Sequence, residues 1–220
     1  MSLLGNSAAI RRHRLSTRSI VICVAVLVLI AAMAFDTKVV VIGSAEDVQP
    51  GVFSPEKFGA ATFPKIQTGI EARAVDAQTL AEALVKDKAA ATKQYGVPTG
   101  AGGAEFSVKF TGVVGDGKSG TYTVAVPGIP DAITIRVQTG PAIMGTDLRD
   151  ATGEIKFGQF VNQIEYQNAG AALNKEMKKQ VLANIDTADL KGKTISVIGA
   201  FKPINPKKWL VTPVRLDVVP

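Results

Sequence analysis

One cysteine, one histidine and one tryptophan are all that 220 residues contain of those three types. Cys23 and His13 both lie in the N-terminal segment, ahead of anything that reads as a folded domain. An intramolecular disulfide, a Cys/His zinc site and any catalysis needing a histidine or cysteine in the folded part are thereby excluded. Acidic residues are missing from the start of the chain. All 19 lie beyond position 35, whereas four of the 25 basic residues (Arg11, Arg12, Arg14 and Arg18) lie before position 19. Beyond residue 35 the balance is 21 minus 19, or +2, so most of the net +6 belongs to a short basic tail. A surface so balanced gives nucleic acid no electrostatic footprint.

Directly after the basic tail comes an uncharged, almost wholly apolar run of sixteen residues, Ile20 to Phe35. At ~1.5 Å per helical residue it spans ~24 Å, short of a ~30 Å hydrocarbon core. Val39 to Ile42 can extend it, which gives an uncleaved transmembrane signal anchor over residues 20–42. The triplet Ala32-Met33-Ala34 equally suits a cleaved signal peptide. A lipid attachment site needs small residues just before a cysteine at the end of the run. Cys23 follows Ile20-Val21-Ile22 and comes too early. In either remaining case the arginines stay in the cytoplasm and the rest is exported. The expected location is the bacterial inner membrane, single-pass with the bulk in the periplasm, or the free periplasm if cleavage follows Ala34.

Residues 1–42 thus form the basic tail and signal segment. Pro50, Gly51, Pro55, Gly59 and Pro64 mark residues 43–63 as an extended linker. A small helical subdomain is expected over 64–97. Ile66 and Ile70 recur at helical spacing, and Asp76 caps a helix carrying Leu80, Ala83 and Leu84. Asp87 caps a third helix, which stops at Gly96 in the position after the cap. Val97 to Glu105 reads as a flexible joint. From residue 98 to 220 the chain reads as mainly β: alternating strands begin at Phe106, Tyr122, Ile133, Thr194 and Trp209, and one helix covers about 169–183. Five or six short strands, with a helix between the third and the last pair, suit an OB-like Greek-key β-barrel. A sandwich has the same strand count.

Gly112-Val-Val-Gly-Asp-Gly117-Lys118-Ser119 matches the phosphate-cradling loop letter for letter. That loop needs a helix after it, and here β-branched alternation comes next, so a glycine-rich hairpin turn is expected. The densest set of special residues lies between Gly140 and Asn174. Asp147, Arg149 and Asp150 either bind a polar group or pair with each other to fix a loop. Asn162 and Gln163 either satisfy free backbone groups at a strand-to-helix junction or bind a polyol. With Glu165 and Tyr166 these are the candidate ligand- or partner-binding residues. Arg149, Asp150, Asn162 and Gln163 are expected to converge through a strand over Glu154 to Phe160. Phe157, Phe160, Val161, Ile164 and Tyr166 read as core, as does Trp209. No spacing places two carboxylates face to face for acid–base work, so no catalytic residue, metal or cofactor is expected and the chain reads as a non-enzyme.

The string QTGPAIMGTDLRDATGEIKFGQFVNQIEYQNAGAALN, then LKGKTISVIGAF and the terminal WLVTPVRLDVV, resembles the DUF2291 family of bacterial envelope proteins from about residue 64 onward. The G-T-x-x-R-D-A and N-Q-I-E-Y pair carries the likeness. The resemblance implies an OB-like β domain with a small helical part, and members described as predicted periplasmic lipoproteins. It also implies a place beside ABC-type sugar uptake systems, with the permease or the solute-binding protein as partner. The absent lipid attachment site is the departure from that pattern. Two readings stand: a membrane-anchored accessory protein of a sugar or polyol importer, and a free periplasmic module that binds a small polar ligand.

Overall fold

The computed structural model describes residues 17–36, 52–100 and 102–219. The chain forms two compact units, residues 1–52 and residues 53–220. In the first, helix α1 runs Thr17–Asp36, and its apolar side chains from Val21 to Phe35 are exposed. Residues 21–35 would span only ~22 Å as a helix, short of the ~30 Å core. Among the described residues no helix is long and apolar enough to cross a membrane. The signal anchor expected over 20–42 therefore has no support from the described helices, and its extension at Val39 to Ile42 lies outside the described residues.

In the second unit, helix α2 runs Pro55–Arg73, so its first half takes up the end of the stretch expected to be an extended linker and its second half opens the expected helical part. Pro55 misleads because it occupies the first helical turn, where proline is tolerated, and Ser54 caps it by accepting from the Lys57 amide. Pro64 lies within the helix, whose buried face carries Phe63, Ile66 and Ile70. A two-residue strand, β1 (Val75–Asp76), leads into helices α3 (Ala77–Lys86) and α4 (Lys88–Tyr95). Their caps are the expected ones. Asp76 Oδ1 accepts from the Gln78 amide at 2.9 Å, and Asp87 Oδ1 from the Ala89 and Ala90 amides at 2.9 and 3.0 Å.

Gly96 does end α4, but with φ −87° it is extended, not left-handed. Glycine is required for another reason. A Cβ there would lie 2.6 Å from the Thr92 carbonyl oxygen and 2.8 Å from Ala104 Cβ. The two ends of the expected flexible joint are paired: β2 (Gly96–Pro98) runs antiparallel to the start of β3 (Ala104–Lys118).

Strands β3, β4 (Thr121–Ala125), β5 (Thr134–Gln138), β6 (Thr194–Phe201) and β7 (Lys208–Val219) make the barrel. The order is β3-β4-β5-β7-β6, and β6 pairs back onto β3 to close it. All pairings around the ring are antiparallel except β5 with β7. This is the Greek-key order of an OB barrel, with β1 and β2 added to the edge of β3. Phe106, Val108, Phe110, Val197, Phe201, Trp209 and Val211 are buried, and the register places them on one face of the strands, the barrel interior. Trp209 stacks on Phe201 at 4.6 Å, and its Nε1 donates to the Pro206 carbonyl at 3.0 Å.

The phosphate-loop string lies in β3 and the turn after it. Ser119 and Gly120 have φ of 53° and 73°, a two-residue hairpin turn with both central residues left-handed. No helix follows; β4 does. Gly120 also has no room for a side chain, since a Cβ would fall 0.9 Å from the Gly140 carbonyl oxygen. Lys118 is exposed. Lys118→Ala is accordingly expected to move the unfolding free energy by no more than ~0.5 kcal/mol. Urea unfolding checks this, and a clear loss of stability would contradict the hairpin assignment.

Between β5 and β6 the chain leaves the barrel to build the site. Helix α5 is a single turn, Asp147–Asp150. Helix α6 runs Gln163–Met177 and continues as a wider turn over Lys178–Leu182. It starts six residues before the expected 169, because Asn162 is a cap. The strand expected over Glu154 to Phe160 does not form. Gln159 folds it into a turn instead: its Oε1 accepts from the Lys156 amide at 3.0 Å and its Nε2 donates to the Glu154 carbonyl at 3.3 Å. A short helical turn at Phe157–Gln159 results. Helix α2 packs on α6, β3, β6 and β7, and α5 packs on α6 and β6.

Candidate functional site

The α5 turn presents charged residues in two directions. On one side Arg149 grips Asp150 with both arms of its fork, Nε to Oδ1 at 2.7 Å and Nη2 to Oδ2 at 3.0 Å. Its Nη1 donates to the Tyr166 carbonyl at 3.1 Å, and its guanidinium carbon lies 3.6 Å from the Tyr166 ring centre. Asp150 is completed by the Thr146 hydroxyl at 2.8 Å and the Tyr166 hydroxyl at 3.3 Å. Arg149 is only 7 % exposed. Each carboxylate oxygen thus accepts twice, and the guanidinium meets the carboxylate along its edge and the Tyr166 ring on its face. The carboxylate is saturated and three of the five guanidinium N–H groups are bonded, a geometry in which burial of an ion pair is tolerated. Burial, with the Asp150 charge second, pushes the Tyr166 phenol up.

On the other side Asp147 Oδ2 accepts from the Thr212 hydroxyl at 2.9 Å. Gln138 Nε2 donates to that same hydroxyl oxygen at 2.8 Å and to the Met144 carbonyl at 3.0 Å, and its Oε1 accepts from the Met144 amide at 2.9 Å. Burial pushes the Asp147 carboxyl up to about 6; the Thr212 bond opposes this and the Asp150 charge adds to it. Nearby is Glu105, only 1 % exposed. Its Oε2 and the Ser107 Oγ, both buried, have no hydrogen-bond partner. Burial pushes the Glu105 carboxyl up to about 8, with Asp147 and Asp150 adding and Lys202 and Arg149 opposing. At neutral pH Glu105 is therefore largely protonated, which is how an unpaired buried carboxyl is tolerated.

Of the four residues expected to converge, Arg149 and Asp150 bond to each other and Gln163 lines a groove with them, while Asn162 is engaged elsewhere. Asn162 Oδ1 accepts from the Glu165 amide at 2.9 Å, and Glu165 Oε2 accepts from the Val161 amide at 3.1 Å. That reciprocal pair is a helix start, which uses up both side chains locally. Gln163 is exposed and lines a groove of about 590 Å³ with Thr99, Arg149, Asp150, Lys156 and Tyr166. Phe157, Val161 and Ile164, expected in the core, are exposed. Only Phe160 and Tyr166 of that set turn inward, where they are partly buried. Sequence reasoning missed Glu105, Gln138 and Thr212. Glu105 alternates with Phe106 as a solvent-facing residue would, so nothing in its own strand marks it. Asn174, at the far end of the same stretch, donates to the Gly145 carbonyl at 3.0 Å and holds the loop before α5. Among the described residues no group of three His, Cys, Asp or Glu is placed to hold a metal ion.

A sequence profile described as "Predicted periplasmic lipoprotein (DUF2291)" matches residues 23–217. The chain belongs to the DUF2291 family. No curated protein matches it. A solved structure from Thermotoga maritima, described as an OB-fold protein, is similar with a TM-score of 0.62 at 19 % identity. It covers 76 % of this chain and 99 % of that one. At that identity the likeness speaks for the fold alone.

OB barrels commonly bind oligonucleotides and oligosaccharides on the face of their second and third strands, here β4 and β5. In this DUF2291 protein the outward positions there pair Thr123 with Arg136, and Arg136 with Leu210 of β7. The aromatic residue of β4, Tyr122, packs against the core and donates to the Thr187 carbonyl at 2.9 Å. Neither strand offers a ring on which a base or sugar would stack.

Proposed function

We propose that this protein is a non-enzymatic accessory of an ABC-type sugar or polyol uptake system, held at the inner membrane by its N-terminal segment. It works by contact with the permease or the solute-binding protein. The observation that carries this reading is the mutual bonding of Arg149, Asp150 and Tyr166. Both Asp150 oxygens accept twice and three of the five Arg149 N–H groups are bonded inside the cluster, so most of its polar capacity is used internally, which favours action through surface contact. The periplasmic family supplies the compartment, and the family resemblance supplies the transporter. Affinity purification of the full chain from native membranes tests it. A permease or binding-protein subunit in the eluate is expected; its consistent absence under mild detergent would overturn the reading. An alkaline phosphatase fused after Pro220 is expected to be active, and an inactive, stable fusion would contradict the periplasmic orientation.

The groove beside Tyr166 favours a second reading, a module that binds a small polar ligand, because Gln163 and Lys156 line it. A thermal upshift with a sugar or polyol, abolished by Gln163→Ala, would favour that reading over the first.

A further inference from the structure

Three of the exposed large apolar side chains of the folded unit fall within eight residues: Phe157 at 50 %, Val161 at 85 % and Ile164 at 68 % exposure. Single exposed apolar residues need no explanation, but three in adjoining turns do. Their backbone is fixed by its own polar groups, through Gln159 bonded at Lys156 and the reciprocal Asn162–Glu165 cap. The local turn thus holds Val161 and Ile164 outward, while Phe157, half exposed, rests its ring edge-on against Tyr166 at 5.7 Å. Phe160, in the middle of the same stretch, points inward. Its ring lies 5.4 Å from Phe53, 5.7 Å from Phe58 and 5.4 Å from Tyr166.

Phe53 is the first residue of the folded unit. The chain arriving from the N-terminal segment therefore reaches the fold at the same end that carries the protruding trio. Sixteen residues, 37–52, separate α1 from that point; fully extended they reach no further than ~58 Å. We propose that this end of the folded unit rests on the lipid bilayer, with Phe157, Val161 and Ile164 inserted at the headgroup and acyl boundary. The exposed Lys156 beside Phe157 meets lipid phosphate. This docking rests on the membrane-anchored reading of the chain. Lipid is favoured over a protein pocket because the trio lies at the end where the chain from the N-terminal segment joins the fold, the end that a membrane-held chain brings to the bilayer, whose boundary yields around side chains as exposed as Val161.

The test uses the full chain with Cys23→Ser, so that an added cysteine is unique, reconstituted in phosphatidylethanolamine/phosphatidylglycerol vesicles. Val161→Cys or Ile164→Cys carries an environment-sensitive dye, and the vesicles contain lipid with a nitroxide on its acyl chain. Lys118→Cys is the control. It sits by the turn whose Gly120 abuts Gly140, and the next carbonyl, that of Pro141, is bonded by Lys178 just past the far end of α6. Dye at 161 and 164 is expected to lose at least half its emission while dye at 118 is unchanged, with unaltered circular dichroism in all variants. Equal quenching at 161, 164 and 118 in protein that floats with the vesicles would overturn the docking and leave the anchor standing. Failure to float would overturn both. A change at 161 that appears only when transporter subunits are added would replace lipid by a protein partner.

Discussion

Glu105→Gln is expected to raise the thermal midpoint at pH 8 by about 10 °C and to leave it unchanged at pH 4. The cause is the buried carboxyl at the start of β3. Its folded-state value is pushed from the usual 4.5 up to about 8, first by burial and then by the Asp147 and Asp150 charges. A group whose folded value lies above its unfolded value binds its proton more tightly in the fold. The stability it contributes is fully present below pH 4.5 and is lost as pH rises through 8. The difference corresponds to roughly 3–5 kcal/mol, a large share of the ~5–15 kcal/mol of a typical domain. At ~2–4 °C per kcal/mol for a chain of this size, the midpoint moves as stated. Asp147 acts in the same direction over a lower window, from the usual 3.8 up to about 6. Wild-type protein should therefore lose stability from about pH 4 to pH 8, whereas Glu105→Gln should be nearly flat above pH 6. Calorimetry at pH 4, 6 and 8 reads this, and a Glu105→Gln midpoint below wild type at pH 8 would show that Glu105 has a partner.

Arg149→Ala should cost about 3 kcal/mol, near the lower end of the range for removing one partner from a buried ion pair. It removes two bonds to Asp150, one to the Tyr166 carbonyl and the stacking on the Tyr166 ring. Asp150 keeps the Thr146 and Tyr166 hydroxyls, which places the cost at that end. The expected drop in midpoint is about 6–12 °C. Arg149→Ala with Asp150→Asn should recover part of the loss, because the carboxylate left without its cation is then gone. Arg149→Lys should recover little, since a point charge cannot reproduce the fork or the stacking.

The barrel was legible because its interior is written in plain alternation. Phe106, Val108 and Phe110 face inward at every second position; Phe201 and Val197 answer Phe106 and Phe110 across the register, and Trp209 and Val211 answer Ile135 and Val137. The caps at Asp76 and Asp87 were legible for the same local reason. Where expectation and structure part, a residue answers to something beyond its neighbours in sequence. Pro55 and Pro64 read as linker punctuation, yet packing of Phe63, Ile66 and Ile70 on the barrel holds them in a helix. Glu105 sits on the strand face that alternation assigns to solvent, and the helical layer covers it. Phe157, Val161 and Ile164 have core chemistry without core placement, because Asn162 and Gln159 dictate where the turn goes. Arg149, Asp150 and Tyr166 do meet, and what could not be read was that they would spend so many of their bonds on one another.

Partner capture by Arg149→Ala, measured beside its thermal unfolding in the same membranes, tests most directly whether the central cluster is structural. At a temperature where the variant is fully folded, it is expected to retain the transporter subunit as well as wild type does, and to lose it only in step with unfolding. A folded Arg149→Ala protein that no longer captures the subunit would make the cluster itself the contact and would contradict a purely structural role for Arg149, Asp150 and Tyr166.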